Sequence, residues 1–85
     1  MMRKNTFPDA VRSRMRRLYR NKRYNMHEFA LLIGVPYSTI NSFMNEQSNN
    51  LNLTTLCRIC DGFGITVQEF FNDDLFKPEN LKKPN

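Results

Sequence analysis

Near the middle of this 85-residue chain, Gly34 and Pro36 stand two residues apart in the stretch GVPYSTINSF. That pair constrains the fold more than any other feature. A helix arriving from the N-terminal side ends at Gly34, because glycine adopts the left-handed cap conformation without a Cβ penalty. Pro36 then opens a new helix, since the N–H it lacks is one that a first turn leaves unpaired. The stretch reads as helix, tight turn, helix.

The helical period holds on both sides of it. A first helix is expected from about Asp9 to Lys22, with Pro8 and Asp9 at its start. Val11, Met15 and Leu18 form one apolar face, and Arg12, Arg14, Arg16, Arg17 and Arg20 occupy the rest of the cylinder. Asn25 caps a second helix, with Glu28 completing a capping box and Phe29, Ala30 and Ile33 facing inward. The third helix, Pro36 to about Asn45, turns Ile40, Phe43 and Met44 inward. Its outer face carries Tyr37, Ser38, Asn41, Ser42 and Asn45 and no charge, whereas a purely solvating face would be charged. After the polar loop Glu46–Asn50 comes a fourth helix, about Leu53 to Phe63. Its core candidates are Leu56, Cys57, Ile59, Cys60 and Phe63; Gly62 weakens it and Gly64 ends it. Thr66 and Glu69 form a second capping box, opening a fifth helix through Phe71, with Val67, Phe70 and Phe71 closing the core. No segment alternates with period two for long enough to be a strand. The expectation is an all-α domain of five helices over residues 9–71. Residues 1–8 would be a flexible basic N-terminus and 72–85 a C-terminal tail. In the tail, Leu75 and Phe76 either pack back on the fifth helix or join a dimer contact.

Length allows one domain. An apolar content of 40% supports a small core but not a large substrate cleft. The charge is uneven: nine of the 13 Lys and Arg, but only one of the 8 acids, fall within residues 1–23. Such a block favours a polyanion, nucleic acid first and an acidic protein or membrane surface second, with a solubilising face as the plain alternative. No apolar run approaches the roughly 18 residues of a membrane span. The N-terminus is basic without an apolar stretch behind it, so no signal peptide is read there, and two cysteines suit a reducing cytoplasm. Cys57 and Cys60 lack the second pair or the histidines that zinc needs, and core packing is expected of both. His27 stands alone in a first turn, a surface or phosphate-facing position. There is no nucleophile with a base, no carboxylate pair and no metal set, so neither catalysis nor a cofactor is expected.

Two segments, EFALLIGVPYSTINSF and LTTLCRICDGFGITVQEFF, resemble the Cro/phage-repressor-type helix-turn-helix family, often called XRE. The resemblance runs from about Val11 to Phe71. Ala30 matches the small residue between the second and third helices, Gly34-Val35 the turn, and Ile40 the buried anchor. It implies a compact lambda-repressor-like domain and a cytoplasmic DNA-binding transcriptional regulator that places its helix 36–45 in the major groove of double-stranded DNA. Carried over by position, Tyr37, Ser38 and Ser42 would face bases, with Asn41 beside them. The chemistry fits: Asn pairs bidentately with adenine, Ser donates or accepts, and a Tyr ring meets a thymine methyl. Phosphate contacts would come from Thr39, Asn45, the N–H groups of Met26 and His27, and Arg16 and Arg20.

The sequence departs from the family pattern in places. Met26 stands where relatives often carry Gln. Tyr19 and Met44 stand where many pair Arg with Glu, an ion pair exchanged for an apolar contact. The recognition face has no Arg, so the commonest guanine contact is missing and preference is modest or leans to A·T. Leu31 and Leu32 replace polar residues; they either pack under the first helix or the tail, or mark a protein contact. A homodimer on a near-palindromic site is implied, with Phe70, Phe71, Leu75 and Phe76 as its contact. The other readings are a protein-binding helix-turn-helix module, and an antitoxin that binds a toxin and its own operator.

Overall fold

The computed structural model describes residues 5–20 and 25–82. Their regular structure is helical throughout: α1 (Phe7–Tyr19), α2 (Met26–Ile33), α3 (Tyr37–Met44), α4 (Leu53–Phe63) and α5 (Val67–Phe71). Two 3₁₀ turns follow, Asp74–Phe76 and Pro78–Asn80. The all-α, five-helix expectation holds. Arg3, Lys4, Lys22 and Arg23, and the end expected for the first helix, lie outside the described residues.

Local caps set most boundaries. The Asn25 side chain accepts the Glu28 N–H at 2.9 Å, and the Glu28 carboxylate accepts the Asn25 N–H at 3.2 Å. Thr66 and Glu69 repeat this arrangement at α5, and the Thr66 N–H and hydroxyl hold the Glu69 carboxyl below its usual pKa. Gly34 closes α2 in the left-handed region at φ 71°. Two starts differ from expectation. Helix α1 begins at Phe7 rather than Asp9, because the Thr6 hydroxyl accepts the Asp9 N–H and Pro8 sits inside the first turn. Helix α3 begins at Tyr37, one residue late, with Pro36 as its extended cap.

The core gathers Val11 and Met15 of α1, Phe29 and Ala30 of α2, Ile40 and Phe43 of α3, Ile59, Cys60 and Phe63 of α4, and Phe70 of α5. Phe29 stacks on Phe63 with centroids 4.6 Å apart and meets Tyr19 edge-on at 6.0 Å. Each buried ring of this kind contributes about 1.5–3 kcal/mol. Gly62 proves to be a packing position rather than a weak point of α4. A Cβ there would lie 2.4 Å from Ile33 Cγ2 and 2.8 Å from the Phe29 ring, so α2 and α4 touch through a missing side chain.

The tail packs back. Phe76 joins Phe7, Phe70 and Phe71 in an aromatic cluster, with Phe71 and Phe76 4.9 Å apart. Asn5 bridges to Leu81, and the amide of the buried Asn80 donates to the Asp74 carbonyl at 2.7 Å. Phe70, Phe71 and Phe76 thus pack within the chain, Phe70 fully buried and the other two half-buried.

Two core expectations fail. Cys57 and Val67 are exposed. Three residues turn a helix by about 300°, so when Cys60 shares the inward face with Ile59 and Phe63, Cys57 falls on the flank. Burial raises the Cys60 thiol from 9.0 to about 11, with the neighbouring Cys57 and Asp61 adding to the shift. Thiolate is the reactive form, so one thiol per chain should alkylate readily at pH 8 in the native protein and two in denaturant. Two native thiols reacting at one rate would contradict this burial.

Candidate nucleic-acid interface

Helix α3 is held at both ends. At its C-terminal end the anchor is Arg12 of α1, only 2% exposed. Arg12 Nε donates to the Phe43 carbonyl at 2.6 Å, and Nη2 donates to the Ser48 carbonyl at 2.8 Å and to Asn49 Oδ1 at 2.7 Å. Its Nη1 pairs with Asp9 at 2.8 Å, and the guanidinium lies 4.6 Å over the Phe43 ring. The carbonyls it meets belong to a helix end and the following loop, groups left without intrahelical partners. One planar fork thus ties α1 to the end of α3.

At the N-terminal end the His27 ring stacks on Tyr37, with centroids 3.5 Å apart and planes 14° from parallel. This couples the first turn of α2 to the first turn of α3. Arg58 of α4 closes the turn between them, donating to the Gly34 carbonyl at 3.0 Å.

The outward face of α3 carries the expected polar set. Ser38, Thr39 and Asn45 are exposed; Tyr37, Asn41 and Ser42 are half-buried. Three of these side chains are wired together. The Tyr37 hydroxyl donates to Asn41 Oδ1 at 3.3 Å, and Asn45 Nδ2 donates to the same oxygen at 2.8 Å. Positions 37, 41 and 45 are four apart, the spacing that aligns side chains along a helix. That spacing was readable in the sequence; the assignment of donors and acceptors was not.

Other expected residues divide. The Met26 side chain turns inward, lining a void of about 10 Å³ with Met15, Tyr19, Phe29, Ile40, Met44 and Phe63. Only its backbone is placed toward the start of α2. Tyr19 and Met44 share that apolar wall, as the exchanged ion pair implied. The arginines of α1 do not act as one charged face. Arg12 is buried; Arg14 donates to the Phe70 and Glu69 carbonyls at 2.7 and 2.9 Å; Arg17 pairs with Asp73 at 3.3 Å. Their alignment with helix ends and an acid 56 residues away has no local signature in the sequence. Arg16 and Arg20 are exposed.

With this geometry in place, the family comparison is decisive. A family model of the Cro/C1-type HTH DNA-binding domain matches residues 14–74. The chain belongs to this Cro/C1-type HTH family. No curated protein and no solved structure matches it. In this Cro/C1-type domain, α2 and α3 are the helix-turn-helix pair, and Arg12, Arg58 and the His27–Tyr37 stack hold that pair to the rest of the fold. Among the described residues no helix is long and apolar enough to cross a membrane, and no group of three or more His, Cys, Asp or Glu could hold a metal ion.

Proposed function

We propose that the protein is a sequence-specific transcriptional regulator, a repressor of the Cro type acting in the cytoplasm, that reads the major groove with α3. The observation that carries this is the outward face of α3: six uncharged polar side chains on a helix anchored at both ends. Ser38, Ser42, Tyr37 and Asn41 meet base edges in this reading. Asn45, Thr39, the first turn of α2 at Met26 and His27, and the exposed Arg16 and Arg20 meet phosphates. Phosphate contacts supply most of the affinity, so binding falls steeply with salt.

One module reads few base pairs, so a homodimer on half-sites about one helical turn apart completes the reading. The exposed side chains of Phe7, Leu53 and Val67, around a groove of about 490 Å³, offer apolar surface for that contact. A sedimentation mass that stays at 10.1 kDa up to high concentration would remove the dimer.

Selection from a random duplex pool at two salt concentrations tests the function. A near-palindrome should be enriched, and Tyr37→Ala/Asn41→Ala should bind it at least about tenfold more weakly. Salt-sensitive retention with no motif would overturn sequence-specific reading.

A second reading rests on Leu31 and Leu32, which are 84% and 65% exposed on adjacent positions of α2. An apolar pair standing in water suits a protein partner. In a protein-binding module, Leu31→Lys abolishes partner capture while Tyr37→Ala leaves DNA retention unchanged.

A further inference from the structure

We propose that Asn41 excludes cytosine at one position of each half-site and accepts only bases that offer a major-groove acceptor. This rests on the reading of α3 as the major-groove helix.

An amide oxygen has two lone pairs and an amide nitrogen two hydrogens. Both lone pairs of Asn41 Oδ1 are engaged, one by the Tyr37 hydroxyl and one by Asn45 Nδ2. The hydroxyl must be the donor to that oxygen, since Oδ1 carries no proton. What Asn41 has left for a ligand is its Nδ2 hydrogens alone. The stack on His27 holds the Tyr37 ring in place, so the hydroxyl stays over Asn41 rather than swinging to solvent. The ladder therefore turns an ambidextrous amide into a pure donor.

Bidentate pairing with adenine, the expectation from residue type, needs the oxygen as well as the nitrogen. That oxygen is occupied here. In the major groove guanine offers N7 and O6, and thymine O4, as acceptors. Adenine offers N7 beside its amino group, whereas cytosine offers an amino group alone. A donor-only side chain finds an acceptor on guanine, thymine and adenine and none on cytosine. Asn45 retains one Nδ2 hydrogen and its own Oδ1, and the Tyr37 oxygen can still accept, so the ladder as a whole is not exhausted by its internal bonds.

The test is selection from a random duplex pool with three proteins: wild type, Asn41→Asp, and Tyr37→Phe/Asn45→Ala. Wild type should deplete C at one position of each half-site. Asn41→Asp keeps the shape and both internal bonds but replaces the donor by an acceptor. It should switch that position to C or A, with a preference of about tenfold in each direction. Tyr37→Phe/Asn45→Ala keeps the ring on His27 and frees Oδ1, so cytosine should become acceptable at the same position. An unchanged motif in both variants overturns the proposal and leaves major-groove reading standing. So does a wild-type motif with cytosine at the position that Asn41→Asp alters, which would mean that the amide presents its oxygen. A wild type that enriches no motif removes the major-groove reading and this proposal with it. Circular dichroism confirms that both variants are folded.

Discussion

Arg12→Ala should cost the fold about 3–5 kcal/mol, read as a fall in urea midpoint with an unchanged slope. The guanidinium is 2% exposed and bonds four oxygens from three parts of the chain. Its removal leaves the Ser48 carbonyl without its donor and the Phe43 carbonyl with the Glu46 N–H at 3.2 Å, and an unsatisfied buried group costs about 1–3 kcal/mol. It also opens a cavity over the Phe43 ring. A domain of this size is stable by about 4–13 kcal/mol, so the loss is a large share of the whole. The melting temperature should drop by roughly 12–40 °C. Arg12→Lys should recover little, because one ammonium cannot match a planar fork aimed at Asp9, Phe43 and Ser48 together. A loss below about 1 kcal/mol would show that the guanidinium is not what secures α3.

Gly62→Val should be nearly as damaging, by about 3 kcal/mol, for the opposite reason. The added Cβ would sit 2.4 Å from Ile33 Cγ2 and 2.8 Å from Phe29 Cε1. Neither atom can yield easily. Ile33 is branched at Cβ, and the Phe29 ring is clamped between Phe63 and Tyr19. Helices α2 and α4 would have to part, which disturbs the helix-turn-helix pair from behind. The helix-propensity gain from replacing glycine, under about 1 kcal/mol, is too small to compensate. Gly64→Asn is the matching control. Gly64 needs its positive φ of 73° but has no atom within 4 Å of an added Cβ. Asn tolerates that conformation, so the change should cost less than about 1 kcal/mol. Equal losses at the two glycines, measured by thermal melts, would rule out a steric role for Gly62.

Much of the helix-turn-helix pair was legible before any coordinates. Asn25 with Glu28, Gly34, and Thr66 with Glu69 act through bonds that span three or four residues, so their sequence pattern is their structure. The apolar spacing of Phe29, Ala30, Ile40 and Phe43 likewise predicted which faces are buried. The polar face of α3 was legible too, because the same period that buries Ile40 turns Ser38 and Asn45 outward. Where the period was ambiguous, at Cys57 on the edge of an apolar stripe, the expectation failed.

Charge was the poorest guide. The five arginines in and just after α1 look alike in sequence, where they simply fill the cylinder around its apolar face. The fold separates them, because Arg12 and Arg14 meet carbonyls 31–56 positions away and Arg17 meets Asp73. No local rule selects which of several equivalent cations will find a helix end. Only closure of α1 over α3 and α5 brings those carbonyls within reach.

Sequence alone determined the helices, their caps, the turn at Gly34 and the uncharged face of α3, since each depends on neighbours within about one or two turns. Tertiary structure decided that Arg12 is a buried clamp, that Gly62 is a contact between helices, that Phe76 of the tail packs against the core, and that Asn41 Oδ1 is bonded by Tyr37 and Asn45. Each of these depends on where an atom distant in the chain, or a rotatable side-chain group, comes to rest, and composition and spacing carry no record of that.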